Sequence, residues 1–247
     1  METLELALPK AEGGMQMPAI GIGFTRFSPG RAAFITGASL GYQGDLRRRG
    51  LLAYSTGQAR FDLFAVVYLM ALKTLAARGG PKAGAAVAPA VASGIAWQVL
   101  RYPDAYAGDF DKVLTWDRDT FTRIEASRAA RAYLHMPGLT AREMIEEVGR
   151  LAPDLDGYGP GLQADWLRRA IFQARGVKSV PAAYFLWWAD DTYLFTDSID
   201  AAFKSGVSDD PRYASAVLVL DLAALAAQIE LRAGTPFVRV SIAESSR

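Results

Sequence analysis

Phe61-Asp-Leu-Phe-Ala-Val-Val-Tyr-Leu-Met-Ala-Leu-Lys-Thr-Leu-Ala-Ala-Arg78, then Gly79-Gly80-Pro81-Lys82, then Ala83-Gly-Ala-Ala-Val-Ala-Pro-Ala-Val-Ala-Ser-Gly-Ile-Ala-Trp-Gln-Val-Leu100, is the stretch on which the fold turns. Its first third places Phe64, Val67, Tyr68 and Leu72 around a helix that is apolar on nearly every side, and such a helix has to be buried. Gly79-Gly80-Pro81 stops it, because glycine admits a left-handed residue and proline cannot continue the ladder. The last third carries no charge, is built mostly from Ala, Gly and Val, and is interrupted by Pro89 and Gly94. A membrane span needs about 20 strongly apolar residues. The expectation is therefore a buried helical hairpin whose small residues let two backbones approach closely.

Outward from this hairpin the pattern becomes mixed. Residues 1–60 carry the short apolar runs Ala19–Phe24, Ala32–Thr36 and Leu51–Tyr54, with turn signals at Ser28-Pro29-Gly30 and Gly41–Gly44, and read as short strands and loops. Tyr102–Asp111 reads as a loop, Asp117 as the cap of a polar helix to about Tyr133, and Thr140-Ala-Arg-Glu143 as a capping box opening a helix to Leu151. After the Pro153–Gly161 loop a second helix is expected over Leu162–Arg175, stopped by Gly176. Tyr184-Phe-Leu-Trp-Trp188, Asp190-Asp191 and Thr192-Tyr-Leu-Phe195 form a β-hairpin pattern, followed by a short helix capped by Asp197 or Ser198 and ending near Gly206. Strand Val217–Leu220, an Asp221-capped helix to Arg232, the Gly234 stop and the alternating run Phe237–Ile242 then give a strand–helix–strand unit, expected to lie in a mixed sheet of the C-terminal part.

The fold class is α+β: an N-terminal strand and loop region, a central buried helical hairpin, and a helix pair followed by a β-hairpin and the strand–helix–strand unit. Residues 1–110 and 111–247 are the two regions, divided at the loop before Asp117 or continuous as one domain.

Composition narrows the chemistry. A hydrophobic fraction of 51% with 21% charged residues belongs to a chain that folds. Lys+Arg 27 against Asp+Glu 26 gives a net charge of +1, so there is no global field to draw the molecule onto nucleic acid or an anionic membrane. The absence of cysteine removes disulfides and thiolate chemistry and fits a reducing compartment, so a cytoplasmic location is expected. The single histidine, His135, rules out a histidine-cluster metal site within one chain, and no metal site is expected. The N-terminal residues, with Glu2 and Glu5 where a secretion signal would be basic, make secretion an unfavoured expectation.

Three motifs invite functional readings and each has a plainer one. Phe34-Ile-Thr-Gly-Ala-Ser-Leu-Gly-Tyr-Gln-Gly44 resembles the glycine-rich cofactor turn of short-chain dehydrogenases. Its spacing is off by one, no Tyr-x-x-x-Lys pair matches, and Asp45–Gly50 is too short to supply the helix, so an ordinary loop is expected. Trp188-Ala-Asp-Asp-Thr-Tyr-Leu-Phe195 resembles the Asp-Asp hairpin of reverse transcriptases, but a turn that uses Asp for its backbone tolerance is the plainer reading. Tyr54-Ser-Thr56 with Arg26 or Arg31 resembles the Arg and Ser-Thr pattern of ADP-ribosyltransferases, and lacks the Glu-x-Glu or Gln-x-Glu pair that completes it. His135 fits a cation at a helix C-terminus.

The pattern with most weight is the helix pair followed by a hairpin, which has the order of a winged-helix element. Its second helix would present Arg168, Arg169, Gln173 and Arg175, with Lys178 beyond, to a nucleic-acid groove. Arg47, Arg48 and Arg49 form the densest basic run, on what reads as a flexible loop able to reach phosphate. The expectation is a nucleic-acid-associated protein with DNA or RNA as partner. One alternative is a small-molecule or nucleotide-dependent enzyme whose pocket lies between the apolar hairpin and the C-terminal sheet, with Asp190, Asp191, Tyr54 or Ser55 as its polar groups. The other is an oligomeric subunit of a larger assembly that uses exposed aromatics near Trp187 and Trp188 as contacts with other subunits. The sequence names no catalytic residue and no cofactor.

Overall fold

A computed structural model describes residues 3–6, 20–53, 59–112, 165–204 and 215–242. The expected helices at 117–133 and 140–151, His135, the Pro153–Gly161 loop, Tyr54-Ser-Thr56 and the end of the short helix near Gly206 lie outside the described residues.

The fold is α+β. Its centre is α3 (Leu63–Val99), a helical run of 37 residues that folds back on itself. Asp62 starts it by accepting a hydrogen bond from the Ala65 amide through Oδ1 at 3.0 Å. Gly80, at φ +78°, makes the reversal, and Pro81 begins the return limb. A Cβ placed on Gly84 would lie 2.9 Å from the Leu75 Cβ. Nine residues along a straight helix span about 13 Å, so this contact exists only because the two limbs lie side by side. The helical hairpin and its small-residue contact are therefore as the sequence pattern predicts. Leu63, Val66, Val67, Leu69 and Leu72 on the first limb and Val91, Ile95, Val99 and Leu100 on the second are fully buried. Among the described residues no helix is long and apolar enough to cross a membrane.

Two sheets cover this hairpin. The first has the order β1 (Thr3–Leu6), β2 (Ile20–Phe24), β7 (Val238–Ile242), β3 (Tyr106–Gly108), antiparallel except for the parallel β7–β3 pair. Ile22 faces Val240 and Phe24 faces Val238 across it, all four buried, while Arg239 and Ser241 between them are exposed. The second sheet has the order β5 (Tyr193–Thr196), β4 (Tyr184–Trp188), β6 (Val217–Asp221), all antiparallel. On β4, Phe185 and Trp187 enter the main core, whereas Leu186 and Trp188 point to the opposite face and pack with Ala202. Ala202 lies on the short helix α5 (Ile199–Lys204), capped by Ser198.

The strand–helix–strand unit exists, but its strands do not share a sheet. Helix α6 (Leu222–Ala233), capped by Asp221 and closed by Gly234 at φ +55°, carries the chain from the second sheet to the first. There β7 inserts between β2 and β3, so the first sheet crosses the 110/111 division. A mixed sheet confined to the C-terminal part is thereby corrected, because the partners of β7 lie more than 100 residues away in sequence.

The region before the hairpin is also more helical than its apolar runs imply. Ala32–Thr36 belongs to α1 (Pro29–Thr36), opened by Ser28, whose side chain accepts from the Arg31 amide, and by Pro29 at the first helical position. Ala32 and Ile35 are buried while Phe34 is 60% exposed, which is helical rather than strand periodicity. Gly41 and Gly44 lie inside α2 (Leu40–Arg48), capped by Ser39, so the expected loop there is corrected to a helix. The resemblance to a cofactor turn fails for the same reason: the segment is a helix–Gly37–helix junction, entered from α1 and not from a strand.

Gly84→Val is expected to force the hairpin limbs apart and lower the unfolding free energy by about 1–3 kcal/mol. Gly30→Ala, at a helical position with open space around it, should be neutral or stabilising by up to about 1 kcal/mol. Urea midpoints followed by circular dichroism check the pair.

Candidate functional site

Helix α4 (Asp165–Ala174) carries the expected basic face, and its arginines divide into two kinds. Leu167, Ile171 and Phe172 are buried in the main core. Arg168 is only 4% exposed, its guanidinium 4.3 Å from the Trp97 ring centroid, so it packs inward instead of facing a groove. Arg175, half-buried just past the helix, pairs with Asp62 and stacks over Phe24 at 4.5 Å and Phe64 at 5.4 Å. Arg169, Gln173 and Lys178 are exposed, with Gly176 at φ +62° between the helix and Lys178.

Arg47 and Arg48 occupy the last turn of α2 and Arg49 is its C-cap, a helix end instead of the expected flexible loop. Cations there complement the negative end of the helix. Arg48 and Arg49 also pair with Asp45 at 3.4 and 2.7 Å, and Arg47 lies over the Phe61 ring at 5.8 Å. Arg47 and Arg175 thus approach the neighbouring residues Phe61 and Asp62, and both are used in packing there.

Asp190, Asp191, Arg31, Trp187 and Trp188 occupy structural positions. Asp190 accepts from the Thr192 amide at 3.1 Å and its hydroxyl at 2.7 Å, and Asp191 adopts φ +66°, so this pair builds the β4–β5 turn. Arg31 donates through Nη2 to the carbonyls of Arg232 and Ala233, tying down the end of α6. Trp187 and Trp188 are buried, which removes them as exposed contacts; Tyr193 is the exposed aromatic of that hairpin. Among the described residues no group of His, Asp and Glu is placed to hold a metal ion.

A concave feature lies elsewhere among the described residues, at the outer edge of β3. It is a cleft of about 800 Å³ between the Tyr102–Asp111 segment and the last turn of α6 with the following Gly234-Thr235-Pro236. Tyr106 and Phe110 form its floor, stacked with ring centroids 4.1 Å apart and planes within 1°. The Tyr106 hydroxyl is drawn inward to the Leu100 carbonyl at 2.8 Å, which fixes the ring. The Phe237 amide donates to the Ala105 carbonyl at 2.9 Å, closing the seam beneath. Gly108 has φ +83°, and a Cβ there would lie 2.2 Å from the Val240 carbonyl oxygen, so only glycine lets β3 sit this close to β7.

Asp104 and Glu230 stand on opposite walls. Burial raises the Glu230 carboxyl above its ordinary value of 4.5, and the like charge of Asp104 adds to the rise. Glu230 is also in the last turn of α6, where the helix dipole disfavours an anion. Sequence reading missed this site because its two walls are more than 100 residues apart; the only local signal was a loop rich in Tyr and Asp.

No protein-family model matches the chain, and no curated protein or solved structure is significantly similar to it.

A carboxyl whose pKa is higher in the folded than in the unfolded chain binds more protons when folded, so stability is greatest below the unfolded value and falls as pH rises through the folded one. Glu230→Gln should therefore match the parent near pH 4 and melt higher than it at pH 7. Calorimetric melts across this range check the sign.

Proposed function

We propose that the protein binds a small molecule in the cleft at the β3 edge. The observation that carries this reading is the cleft itself. Its volume is within the roughly 300–1,000 Å³ of ligand sites, and it combines an apolar aromatic floor with a few converging polar groups. Neither wall needs to move to create it: Gly108 and the Arg31 bonds to the end of α6 support the two sides. Ala227, exposed on α6 and lining the cleft, allows a test that leaves the core untouched. A panel of nucleosides, amino acids, sugars and amines is screened by thermal shift against the parent and Ala227→Trp. The expected result is a compound that raises the melting temperature of the parent in proportion to its occupancy and leaves the filled variant unmoved. Absence of any such compound, or equal shifts in both proteins, refutes the reading.

A nucleic-acid-associated role with a winged-helix-like element is the second reading. It is favoured by Arg169 and Gln173, both exposed one turn apart on α4, with Lys178 beyond and a β-hairpin following. On this reading Arg169→Glu with Lys178→Glu abolishes binding to labelled single- and double-stranded DNA and RNA, measured by fluorescence anisotropy at low salt. Arg168→Ala instead lowers stability, by about 1–2 kcal/mol for the lost contact with Trp97. An unchanged anisotropy in the double variant, or no binding by the parent, rejects the role.

A further inference from the structure

Among the described residues, every charged side chain lining the cleft is acidic. Asp104 and Asp111 come from the segment around β3 and Glu230 from α6, and among the described residues the lining holds no Lys, Arg or His. The nearest guanidinium on the α6 side, Arg31, approaches Gly234 but is bonded to the Arg232 and Ala233 carbonyls. Arg232 itself donates to the Ile35 carbonyl. The cleft therefore meets an entering molecule with carboxylates on both walls, above the buried, stacked Tyr106 and Phe110.

We infer that the ligand of this cleft is an organic cation, an amine carried on a flat apolar body. The inference rests on the small-molecule reading above and adds the chemical class. An anion would face like charge from both walls. A neutral molecule would leave Asp104 and Glu230 opposed to one another at the end of a helix. An ammonium group between them offsets both repulsions and forms charge-assisted hydrogen bonds with the carboxylates. Leu231, 84% exposed, and the adjoining Pro236 supply apolar surface for the body of the molecule, with the buried Tyr106 and Phe110 beneath. An amine on a flat ring satisfies both kinds of wall at once.

The test holds shape constant and varies charge. Phenethylamine, 2-phenylethanol and phenylacetate share one ring and one chain and present a cation, a neutral group and an anion. Each is titrated into the full chain at pH 7.5, with saturation-transfer NMR as a second readout. Phenethylamine is expected to bind at least tenfold more tightly than the other two. Asp104→Asn with Glu230→Gln should remove that preference, and Ala227→Trp should remove binding. Circular dichroism of each variant verifies that it is folded. Equal or tighter binding of the alcohol or the acid at a site lost in Ala227→Trp overturns the cation class and leaves the small-molecule reading standing. No binding of any of the three, or binding of phenethylamine that survives Ala227→Trp, overturns this inference; the wider panel then decides the small-molecule reading separately.

Discussion

A helical pair with apolar residues on nearly all sides has to be covered on nearly all sides, and the rest of this protein is arranged to do so. Leaving such a surface in water costs roughly 25 cal/mol for each Å². The reversal at Gly80 and the close contact at Gly84 bring the two limbs of α3 together, which removes one face of each from solvent. The remaining faces meet β2, α1, α4 and α6. A chain of rings marks one of these seams: Phe24 on β2, Phe64 on the first limb, Phe172 on α4 and Trp97 on the second limb succeed one another with centroids 6.0, 5.4 and 5.6 Å apart. At this spacing each edge-on pair adds about 0.5–1.5 kcal/mol beyond the area it buries.

That seam explains the basic helix. Arg175 lies over Phe24 and Phe64 at one end of the ring chain and Arg168 over Trp97 at the other. A guanidinium is weakly hydrated and planar, so it can close an aromatic surface where a lysine ammonium would retain its water. Arg168 on α4 and Arg175 just beyond it, two of the arginines that resemble a groove-reading face, are therefore part of the cover over α3. Sequence spacing alone does not separate an arginine that stacks inward from one that faces solvent, since both fit the same helical stripe.

The legible parts of the fold were those whose signal is local and long. The hairpin at 61–100, the Tyr184–Phe195 hairpin, and the Asp221 cap and Gly234 stop of α6 each follow from residues within a few positions of one another. Two kinds of feature were not legible. Short helices such as α1 and α2 have one buried turn apiece, and Gly41 and Gly44 disguise the second as a loop; Ser28 and Ser39 were the caps that announce them. Strand partners distant in sequence were the other kind: nothing in Phe237–Ile242 states that β7 will pair with Ile20–Phe24. The cleft belongs to this second class, because it exists only after β7 has brought Tyr106–Gly108 and the end of α6 together.

The position of the cleft follows from the same constraint that shapes the core. Helix α6 has to pass closely over the second limb of α3, where Gly94 admits Leu222, and then turn sharply into β7. Gly234 makes that turn, and Arg31 with Arg232 fastens the ends of α1 and α6 to one another. With α6 held from behind and β3 pinned to β7 at Gly108, the last helical turn and the Tyr102–Asp111 segment stand apart as fixed walls. Nothing in the packing of the core requires an acid on each of them. Glu230 is half-buried at the helix end least suited to it, and a glutamine there would relieve the repulsion from Asp104 without disturbing a single core contact. Burial and the like charge of Asp104 both raise the Glu230 carboxyl, and a positively charged ligand between these walls would offset both effects.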